Sequence, residues 1–532
     1  MKTKKLVILL TLFLVVLVLS ACGKTGDVRS GTEKTTVGEP VKGGTLKIAF
    51  SAEPETIDWM YTGATSTRDI GWHIFETLFT LDKNFAVKPM LVEDYTISED
   101  RKNYTISLRK NVKFHDGSEM VAADAVASIE RWRKISSVGK NASGAIEKVT
   151  AVDDHTVQIQ LNKVYNVLLD DMSAPKSALM VIPASIAEAA GEQPLSSEQL
   201  IGTGPYKFDK WDKGQRVVLS RFDDYTVRDE EDWGGLTGKK DAFFDKLEFL
   251  MVKDPQVMLN GMKTKLYDYA QYIPADLYDV ITTTPNIEPV SYMSGYATLT
   301  PDKSEPPFDD IKVRQALQYA LDIKMIADGT YGNSDFYELD GALFSPAQTK
   351  LYTKEGTDTY QQYDPEKAKN LLKESSYSGQ TLTLMYTSNN DIHKRASQIV
   401  KQQMEEVGFK VELVSYEWAT FLEKWQEPSN WDLEVVGWST RFSPTELGML
   451  AQDSASSGWY NSNRWKSLLV EWGEATEQQE RINILAKMNQ TLYDELPLYK
   501  FANETNLDVR SSQLQNYDGW IGQRFWNVWK SE

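Results

Sequence analysis

The 532-residue sequence predicts a mixed α/β fold with several hydrophobic cores. Segments with strand-type alternation are interleaved with helical segments along the chain instead of forming one block. The composition, 41% hydrophobic and 25% charged, is that of a globular protein. Beyond the N-terminal segment, no apolar run approaches the ~20 residues that a membrane-spanning helix needs. These observations favour α/β lobes with mixed sheets over a single closed barrel.

The N-terminal segment has the pattern of a cleaved secretory signal peptide. Lysines precede an apolar run from Leu6 to Leu19, which is short for a permanent membrane span. The tetrapeptide Leu19-Ser20-Ala21-Cys22 resembles a bacterial lipobox, in which the cysteine thiol becomes linked to diacylglycerol. We therefore predict a signal peptide at residues 1–21 and lipidation of Cys22. The alternative is an uncleaved anchor that carries a free thiol.

Residues 22–42 are predicted to comprise the lipidated cysteine and a flexible tether, because this segment is polar, rich in Gly and Thr and has little to bury. Cys22 is the only cysteine, which excludes an internal disulfide framework and a multi-cysteine metal site. The chain has 58 Lys and Arg against 76 Asp and Glu, a formal charge of −18 that repels phosphate backbones. A nucleic-acid partner is therefore not expected.

The clearest local unit of the body lies at residues 363–415. Asp364-Pro365 is an N-cap followed by proline at the first helical position, and Gly408 suits the C-cap of a second helix at 392–407. One alternating segment begins at Thr381, and another directly follows Gly408. A strand, helix, strand order predicts that the two strands run parallel.

Five other segments alternate in the manner of half-buried strands, between turn-rich or helical stretches. They are Thr45–Phe50, Tyr104–Leu108, Thr156–Leu161, Val217–Arg221 and Lys246–Val252. Their wide separation along the chain favours sheets assembled from distant segments.

Motifs for catalysis and for cofactors are incomplete in the sequence. The segment Gly202-Thr203-Gly204-Pro205 begins like a dinucleotide loop, but the proline would break the helix that must follow. The four histidines are scattered and form no local metal-binding pair, so each is interpreted as a surface or hydrogen-bonded structural residue: His73, His115, His155 and His393. No catalytic residue, no metal and no cofactor are predicted.

Seven short motifs follow one another between residues 43 and 316. They are Gly43-Gly44-Thr45-Leu46, Glu53-Pro54-Glu55-Thr56-Ile57-Asp58, Phe75-Glu76-Thr77-Leu78, Leu108–Gly117, Ala123-Asp124-Ala125-Val126, Ile201-Gly202-Thr203-Gly204-Pro205-Tyr206 and Phe308–Ala316. In this order they resemble the family 5 extracellular solute-binding proteins, the oligopeptide- and dipeptide-binding lipoproteins of ABC transporters. Most of these residues suit turns and helix caps, so they identify the scaffold and not the ligand.

The resemblance implies a type II periplasmic-binding-protein-like clamshell with an extra lobe, mixed sheets and a ligand cleft between the lobes. Lobe I would comprise residues 43–80, 200–300 and 501–532, lobe II residues 81–199, and lobe III residues 301–500. Hinge closure would trap the solute, and permease subunits would recognise the closed state. The implied protein is a monomer that is lipid-anchored at the extracytoplasmic face of a bacterial cell membrane, and it is not an enzyme.

The resemblance also implies where the ligand lies. In peptide-binding relatives, the ligand backbone adds as a strand between an early loop and a strand of the third lobe. The matching segments here are Gly63-Ala64-Thr65 and Gly437-Trp438-Ser439. Seven tryptophans occur between residues 418 and 472, of which Trp418 and Trp438 are placed in the cleft. Core and interlobe packing is the alternative for each of the seven.

Arg441 departs from the family pattern. Typical oligopeptide binders carry an aspartate three positions beyond the tryptophan of the Gly-Trp motif, where it holds the α-ammonium group of the peptide. Arg441 stands at this position and would repel an ammonium group. We therefore expect Arg441 to bind a carboxylate, and the ligand to be a short peptide or peptide-like solute with an acidic group. A solvent-facing or internally paired arginine is the alternative.

The leading functional prediction is a substrate-binding protein that delivers short peptides or peptide-like solutes to an ABC importer. An exported hydrolase on the same scaffold is an alternative of another class, although its nucleophile, metal and glycosidase motifs are lacking. A receptor for a signalling peptide, glutathione or a metal chelate is a third possibility, because the same scaffold accepts such ligands.

Overall fold

The computed structural model describes residues 39–228, 230, 234–388 and 390–531. The predicted signal peptide, Cys22 and most of the predicted tether lie outside these residues. Within the described ranges, no helix combines the length and the apolar character needed to cross a membrane.

Nineteen strands lie in the described part of the chain. In chain order they are β1 Thr45–Phe50, β2 Phe79–Leu81, β3 Val87–Pro89, β4 Val92–Ile97, β5 Asn103–Leu108, β6 Ile146–Asp153, β7 Thr156–Leu161, β8 Tyr206–Asp212, β9 Arg216–Arg221, β10 Lys246–Met251, β11 Tyr269–Ala270, β12 Ile287–Pro301, β13 Tyr337–Glu338, β14 Thr381–Thr387, β15 Lys410–Tyr416, β16 Leu433–Ser439, β17 Tyr499–Ser511, β18 Leu514–Gln515 and β19 Trp529–Lys530. All five strands predicted from alternation alone are present.

Fourteen α-helices accompany these strands in the described ranges. They are α1 Thr65–Ile74, α2 Ala122–Ile135, α3 Ser137–Ser143, α4 Leu168–Ser173, α5 Ala184–Ala190, α6 Pro255–Lys263, α7 Tyr278–Thr283, α8 Ile311–Ala320, α9 Ile323–Tyr331, α10 Pro365–Lys373, α11 Asp391–Val407, α12 Trp418–Trp425, α13 Asn463–Glu474 and α14 Gln478–Glu495.

The main feature of the fold is an open, mixed sheet of eleven strands, in the order β15-β14-β16-β12-β17-β11-β1-β10-β9-β8 with β13 also paired to β17. Strand β1 is parallel to β10 and β11, and β14 is parallel to β15 and β16. The other neighbouring pairs are antiparallel. The sequence prediction of mixed sheets instead of a closed barrel is confirmed.

A second, antiparallel sheet has the order β4-β5-β7-β6. Its strands carry apolar side chains at alternate positions, such as Tyr104, Ile106 and Leu108 of β5, and these are buried. They join a core that includes Trp132 of α2 and extends to β1 of the large sheet. A separate core lies around β14, β16 and α11 at the other end of the large sheet. The three lobe boundaries themselves stay a prediction.

Residues 363–415 adopt the structure that their local sequence signals predict. Asp364 caps α10, with its Oδ1 accepting from the backbone N–H of Lys367 at 2.9 Å, and Pro365 occupies the first turn. Gly408 ends α11 with a φ of 110°, in the left-handed region that favours glycine. Strands β14 and β15 are parallel, as predicted.

The Gly-Thr-Gly-Pro segment packs closely against the end of α1. A Cβ atom on Gly202 would lie 2.2 Å from the carbonyl oxygen of Ile74, and one on Gly204 would lie 2.5 Å from that of His73. Close backbone approach therefore requires glycine at both positions. This segment has a packing role, in agreement with its rejection as a dinucleotide loop.

A fully buried ion pair joins the segment before α1 to α2. Arg131 Nη2 lies 2.6 Å from Asp58 Oδ2, and both side chains are almost completely buried. Asp58 also accepts backbone N–H groups from Met60, Tyr61 and Leu195. Both oxygens of this carboxylate are thus satisfied within the protein.

Candidate functional site

A cavity of about 390 Å³ opens where the end of β16 meets the beginnings of α1 and α11. Its volume lies at the lower end of the range for small-molecule sites. The residues that line it come from segments throughout the chain: Thr65, Arg68, Tyr272, Ser294, Thr387, Asn390, Ile392, His393, Trp418, Gly437, Trp438, Ser439, Glu504, Asn506 and Ile521. Aromatic, neutral polar and charged side chains are therefore combined in one cavity.

One edge of β16 is open at the cavity. Strand β14 pairs with β16 only as far as the Tyr386–Val435 pair, whereas β16 continues to Ser439. The opposite edge of β16 is occupied by β12, which pairs with Gly437, Trp438 and Ser439. In the described part of the chain, no strand covers the first edge beyond Val435. An extended ligand can add its backbone there as a further strand.

Two indole groups line the cavity. Trp418 begins α12, is 43% exposed and stacks on Phe421 with ring centroids 5.5 Å apart. Trp438 lies near the end of β16, and its indole N–H donates to Thr298 Oγ1 at 3.0 Å. The hydrogen bond orients Trp438, and the stack on Phe421 orients Trp418. Both rings therefore offer apolar contact surface at little entropic cost.

Three residues on adjacent strands form what we call the cross-strand row: Ser439 of β16, Gly295 of β12 and Glu504 of β17. Gly295 is the register partner of both Ser439 and Glu504. A Cβ atom on Gly295 would lie 1.8 Å from the carbonyl oxygen of Trp438, so only glycine fits. Ser439 and Glu504 both line the cavity, and Gly295 adds no side chain between them, although its neighbour Ser294 in β12 also lines the cavity.

Glu504 is half-buried in the cavity wall. Its Oε1 accepts a hydrogen bond from the Tyr331 hydroxyl at 2.8 Å. Burial raises the pKa of Glu504 to about 7, and the bond from Tyr331 opposes this rise. The carboxyl group is therefore close to its midpoint of ionisation at neutral pH.

Arg68 of α1 also lines the cavity, but its charge is matched within the protein. Its Nη2 lies 2.7 Å from Asp69 Oδ1 and donates to the carbonyl oxygen of Ile521 at 2.6 Å. Burial raises the pKa of Asp69 to about 6, although Arg68 lowers it. The Arg68–Asp69 pair is thus a nearly neutral part of the wall at pH 7.

His393 lies in the first turn of α11. Asn390 caps this helix by accepting from the backbone N–H groups of Ile392 at 2.9 Å and His393 at 3.3 Å. Burial lowers the pKa of His393 to about 4, so its ring is neutral at pH 7. Among the described residues its Nδ1 has no hydrogen-bond partner. This differs from the sequence interpretation of a surface or hydrogen-bonded structural histidine.

Arg441 is buried beside the cavity and does not line it. Its Nη1 donates to Ser439 Oγ at 2.8 Å, and its guanidinium carbon lies 5.8 Å from the centre of the Trp438 ring. Burial lowers the pKa of Arg441, and Glu446 acts in the opposite direction. The guanidinium group is thus connected to the cavity through the Ser439 hydroxyl.

The other predicted site residues are distributed around the cavity. Thr65, Trp418, Gly437, Trp438 and Ser439 line it. Ala64 is the residue before α1, and Gly63 packs on Lys176, whose Cε would lie 2.6 Å from a Cβ at this glycine. Burial and the charge of Arg441 lower the pKa of Lys176 to about 8, although Glu446 opposes the shift. Gly63 and Arg441 both lie near Lys176, outside the cavity lining.

Most of the other tryptophans between residues 418 and 472 serve as core. Trp465 and Trp472 are buried in one hydrophobic cluster, and Trp425 and Trp431 are buried in another. Trp459 is half-buried beside Trp431. The alternative of core packing therefore holds for four of the seven.

No group of three or more potential metal ligands among His, Cys, Asp and Glu occurs in the ranges that the structure describes. Sequence reasoning missed Arg68, Tyr272, Glu504 and Asn506 as cavity residues. Each comes from a segment without a recognisable motif, so no local signal pointed to them.

Comparison with known proteins defines the class. The sequence profile described as bacterial extracellular solute-binding proteins, family 5 Middle, matches residues 86–460. The probable peptide ABC transporter periplasmic-binding protein y4tO of Sinorhizobium fredii is 28% identical over 445 residues, which cover 80% of this chain and 82% of that protein. The oligopeptide-binding protein AppA of Bacillus subtilis is 24% identical, with 97% of each chain covered.

Solved structures show the same fold. The structure of Bacillus subtilis AppA in complex with a nonapeptide has a TM-score of 0.77 at 21% identity, covering 93% of this chain and all of that one (100%). The Helicobacter pylori protein DppA in complex with the peptide STSA has a TM-score of 0.78 at 20% identity, covering 92% of this chain and 99% of the other.

The fold and the cavity thus define a solute-binding protein with the type II periplasmic-binding-protein fold. The chain belongs to the family 5 bacterial extracellular solute-binding proteins. Proteins of this family act outside the cytoplasm and bind solutes without being enzymes, and both statements apply to this chain.

Proposed function

We propose that the protein binds short peptides or peptide-like solutes and delivers them to the permease subunits of an ABC importer. The observation that supports this function best is the open edge of β16 at Gly437-Trp438-Ser439, which lines the same cavity as the indole group of Trp418. Backbone N–H and C=O groups at such an edge bind any extended peptide, and the surrounding pockets select its side chains. Relatives named as peptide-binding proteins agree with this assignment.

The loop after β16 supports a closed, ligand-retaining conformation. Thr445 Oγ1 donates to Asp171 Oδ1 of α4 at 3.1 Å, and Asn141 Nδ2 of α3 donates to the Thr445 carbonyl at 3.0 Å. These bonds join the predicted lobe III to the predicted lobe II. Opening of the clamshell by a hinge motion must break them, and a ligand that stabilises the closed state favours them.

We assign Arg441 to the ligand's acidic end, through Ser439. Because the Ser439 oxygen accepts from Arg441, the hydroxyl hydrogen of Ser439 is free to donate toward the cavity. A carboxylate of the ligand is the acceptor that the nearby guanidinium charge favours. Arg441 thus acts as a positioning residue for the Ser439 hydroxyl.

The proposed attachment to the membrane is a lipid on Cys22, at the extracytoplasmic face of the bacterial membrane. The lipobox-like segment Leu19-Ser20-Ala21-Cys22 supports this proposal. Fractionation of cells that express the full chain tests it, since a Cys22→Ser variant should move from the membrane fraction to the soluble fraction. Equal membrane retention of both proteins contradicts lipid anchoring. The mature protein is proposed to be a monomer.

Calorimetry with a small peptide library tests the function. The library should include carboxylate-bearing tripeptides, matching C-terminal amides and glutathione, since relatives in Escherichia coli are named glutathione-binding proteins. We expect micromolar or tighter binding of some members by the wild-type protein, and compaction of the ligand-bound protein in X-ray scattering. We expect Arg441→Ala to weaken the binding of the carboxylate-bearing peptides at least tenfold and the binding of their C-terminal amides much less. Unchanged affinity for all carboxylate-bearing ligands excludes the role of Arg441, and chemical conversion of a bound peptide favours the hydrolase alternative.

A further inference from the structure

We propose that Glu504 binds a cationic group of the ligand, either an α-ammonium group or a basic side chain. The inference rests on the proposed function, because it concerns the same cavity and adds the charge that a preferred peptide carries.

The charge balance of the cavity wall favours a cationic group on the ligand. Arg68 is paired with Asp69, and His393 is neutral at pH 7 because burial lowers its pKa to about 4. Glu504 forms no ion pair with any residue in the described part of the chain. When Glu504 is ionised, its negative charge is therefore not compensated by the wall. A cation on the ligand supplies the missing charge.

The hydrogen bonding of the Glu504 carboxylate also favours a cationic group on the ligand. Tyr331 donates to Glu504 Oε1, and no described residue donates to Oε2, the other carboxylate oxygen. A half-buried carboxylate with an open oxygen binds ammonium and guanidinium groups through charge-assisted hydrogen bonds. The raised pKa of Glu504, about 7, shows that the site disfavours a lone negative charge. A bound cation reverses this preference.

Glu504 and Ser439 lie at opposite ends of the cross-strand row. Glu504 and Ser439 are two strands apart, which corresponds to roughly 10 Å between their backbones. Ser439, backed by Arg441, favours a ligand acceptor, whereas Glu504 favours a ligand donor. Gly295 adds no side chain to the row and Ser294 beside it is small, so one short zwitterionic ligand can contact both ends.

Four peptides distinguish the two sources of positive charge. Gly-Arg-Gly carries an ammonium and a guanidinium group, and Gly-citrulline-Gly carries the ammonium group alone. The N-acetyl derivatives of these two peptides carry the guanidinium group alone and no cation, respectively. Calorimetry at pH 7.5 compares the wild-type protein with Glu504→Gln, because Glu504, with a pKa of about 7, is then mostly ionised and the α-amino groups of the peptides, with a pKa of about 8, are still mostly protonated. Glutamine preserves an oxygen that accepts from Tyr331, so the variant is expected to fold.

We expect Glu504→Gln to weaken at least one singly cationic peptide tenfold or more and to leave the peptide without a cation within twofold. Loss for Gly-citrulline-Gly identifies the ammonium group, and loss for N-acetyl-Gly-Arg-Gly identifies the basic side chain. Equal changes for all four peptides, or no change for any, overturn the inference while the proposed function stands. Absence of any binding to the wild-type protein overturns the proposed peptide function, and this inference with it.

Two further variants separate a specific contact of Glu504 from a general effect of the charge change and from a structural role. Glu338→Gln makes the same charge change at an exposed position of β13, the strand next to β17, and should leave all four affinities unchanged. Glu504→Asp keeps the charge on a shorter side chain and should retain more of the preference for cationic peptides than Glu504→Gln. Equal loss in both Glu504 variants and for all peptides indicates a structural role and contradicts the proposal.

Discussion

Asp58 and Glu504 are carboxylates removed from bulk solvent, but their surroundings differ. Asp58 is paired with Arg131 and accepts three backbone N–H groups, so both of its oxygens are satisfied. Glu504 receives one hydroxyl group and no cation from the described residues. The carboxylate of Asp58 is neutralised by the protein itself. The incomplete environment of Glu504, together with its place in the cavity wall, leaves this group available to a ligand.

Loss of the cation beside Asp58 should have the largest effect. Arg131→Met leaves the carboxylate buried without its partner, and we expect the free energy of unfolding to fall by about 3–5 kcal/mol. Urea denaturation measures this change. The control is Lys324→Met, which removes an exposed ion pair with Asp328 and should not change the unfolding midpoint measurably. A loss below about 1 kcal/mol in Arg131→Met contradicts the structural importance of the pair.

Glu504 should also make the stability of the protein depend on pH, since the fold holds its carboxyl group with a pKa raised from its ordinary 4.5 to about 7. The folded protein then binds more protons than the unfolded chain between these values. Stability is therefore highest at the acidic end of this window and declines as the pH rises through 7. We expect the wild-type protein to lose about 1–3 kcal/mol more than Glu504→Gln between pH 5 and pH 8.

The groups that face Glu504 do not reproduce this slope. Burial raises the pKa of Tyr331, a hydrogen bond to Asp328 raises that of Tyr337, and His393 titrates near 4. Arg68 stays charged, and its partner Asp69, with a pKa of about 6, is present in both proteins and cancels in the difference. Parallel stability profiles for the wild-type protein and Glu504→Gln show that Glu504 does not titrate in this window.

Binding of a cationic peptide should also separate the stabilities of the wild-type protein and Glu504→Gln, by a smaller amount. A cationic peptide at 100 times its dissociation constant stabilises the wild-type protein by about 2.7 kcal/mol. If Glu504→Gln binds it tenfold more weakly, the same concentration stabilises the variant by about 1.4 kcal/mol. Urea denaturation with and without peptide gives both values. Equal stabilisation of the two proteins argues against a charge-specific contact.

The smallest effect on stability is expected for an exposed residue of the cavity wall. Trp418 is 43% exposed and stacks on Phe421, so Trp418→Ala should cost about 1 kcal/mol or less. Its affinity for peptides should nevertheless decrease, because the exposed ring offers contact surface to the ligand. Trp465→Ala, in a fully buried position, is the matched comparison and should cost about 3–5 kcal/mol. Similar losses in both variants contradict the assignment of Trp418 to the cavity wall.

Local signals in the sequence predicted short elements well. Asp364, Pro365 and Gly408 determine where two helices begin and end through contacts within one turn, and the five alternating segments form strands. The long strands β12 and β17 were not predicted. Strand β12 contains Pro289, Gly295 and Pro301, which normally indicate turns, and only pairing with distant strands fixes its extended conformation.

The site shows the same limit. Trp418 and Gly437-Trp438-Ser439 were found because they lie in recognisable motifs of the family. Glu504 is one of 76 acidic residues, and nothing in its neighbourhood separates it from a solvated charge. Only its register with Gly295 and Ser439 across three strands brings it into the cavity. Long-range pairing of this kind cannot be derived from one sequence.

The ladder between β12 and β17 is irregular at two places, between Met293 and Gly295 and between Tyr296 and Thr298. Such irregularities bend strands and weaken local pairing. The row that joins Ser439 to Glu504 passes over the first of them, so a solute bound along the row would hold together a part of the sheet where strand pairing is irregular. Ligand binding would then also stiffen this part of the sheet. We expect slower amide hydrogen exchange around Gly295 in the ligand-bound protein than in the free protein.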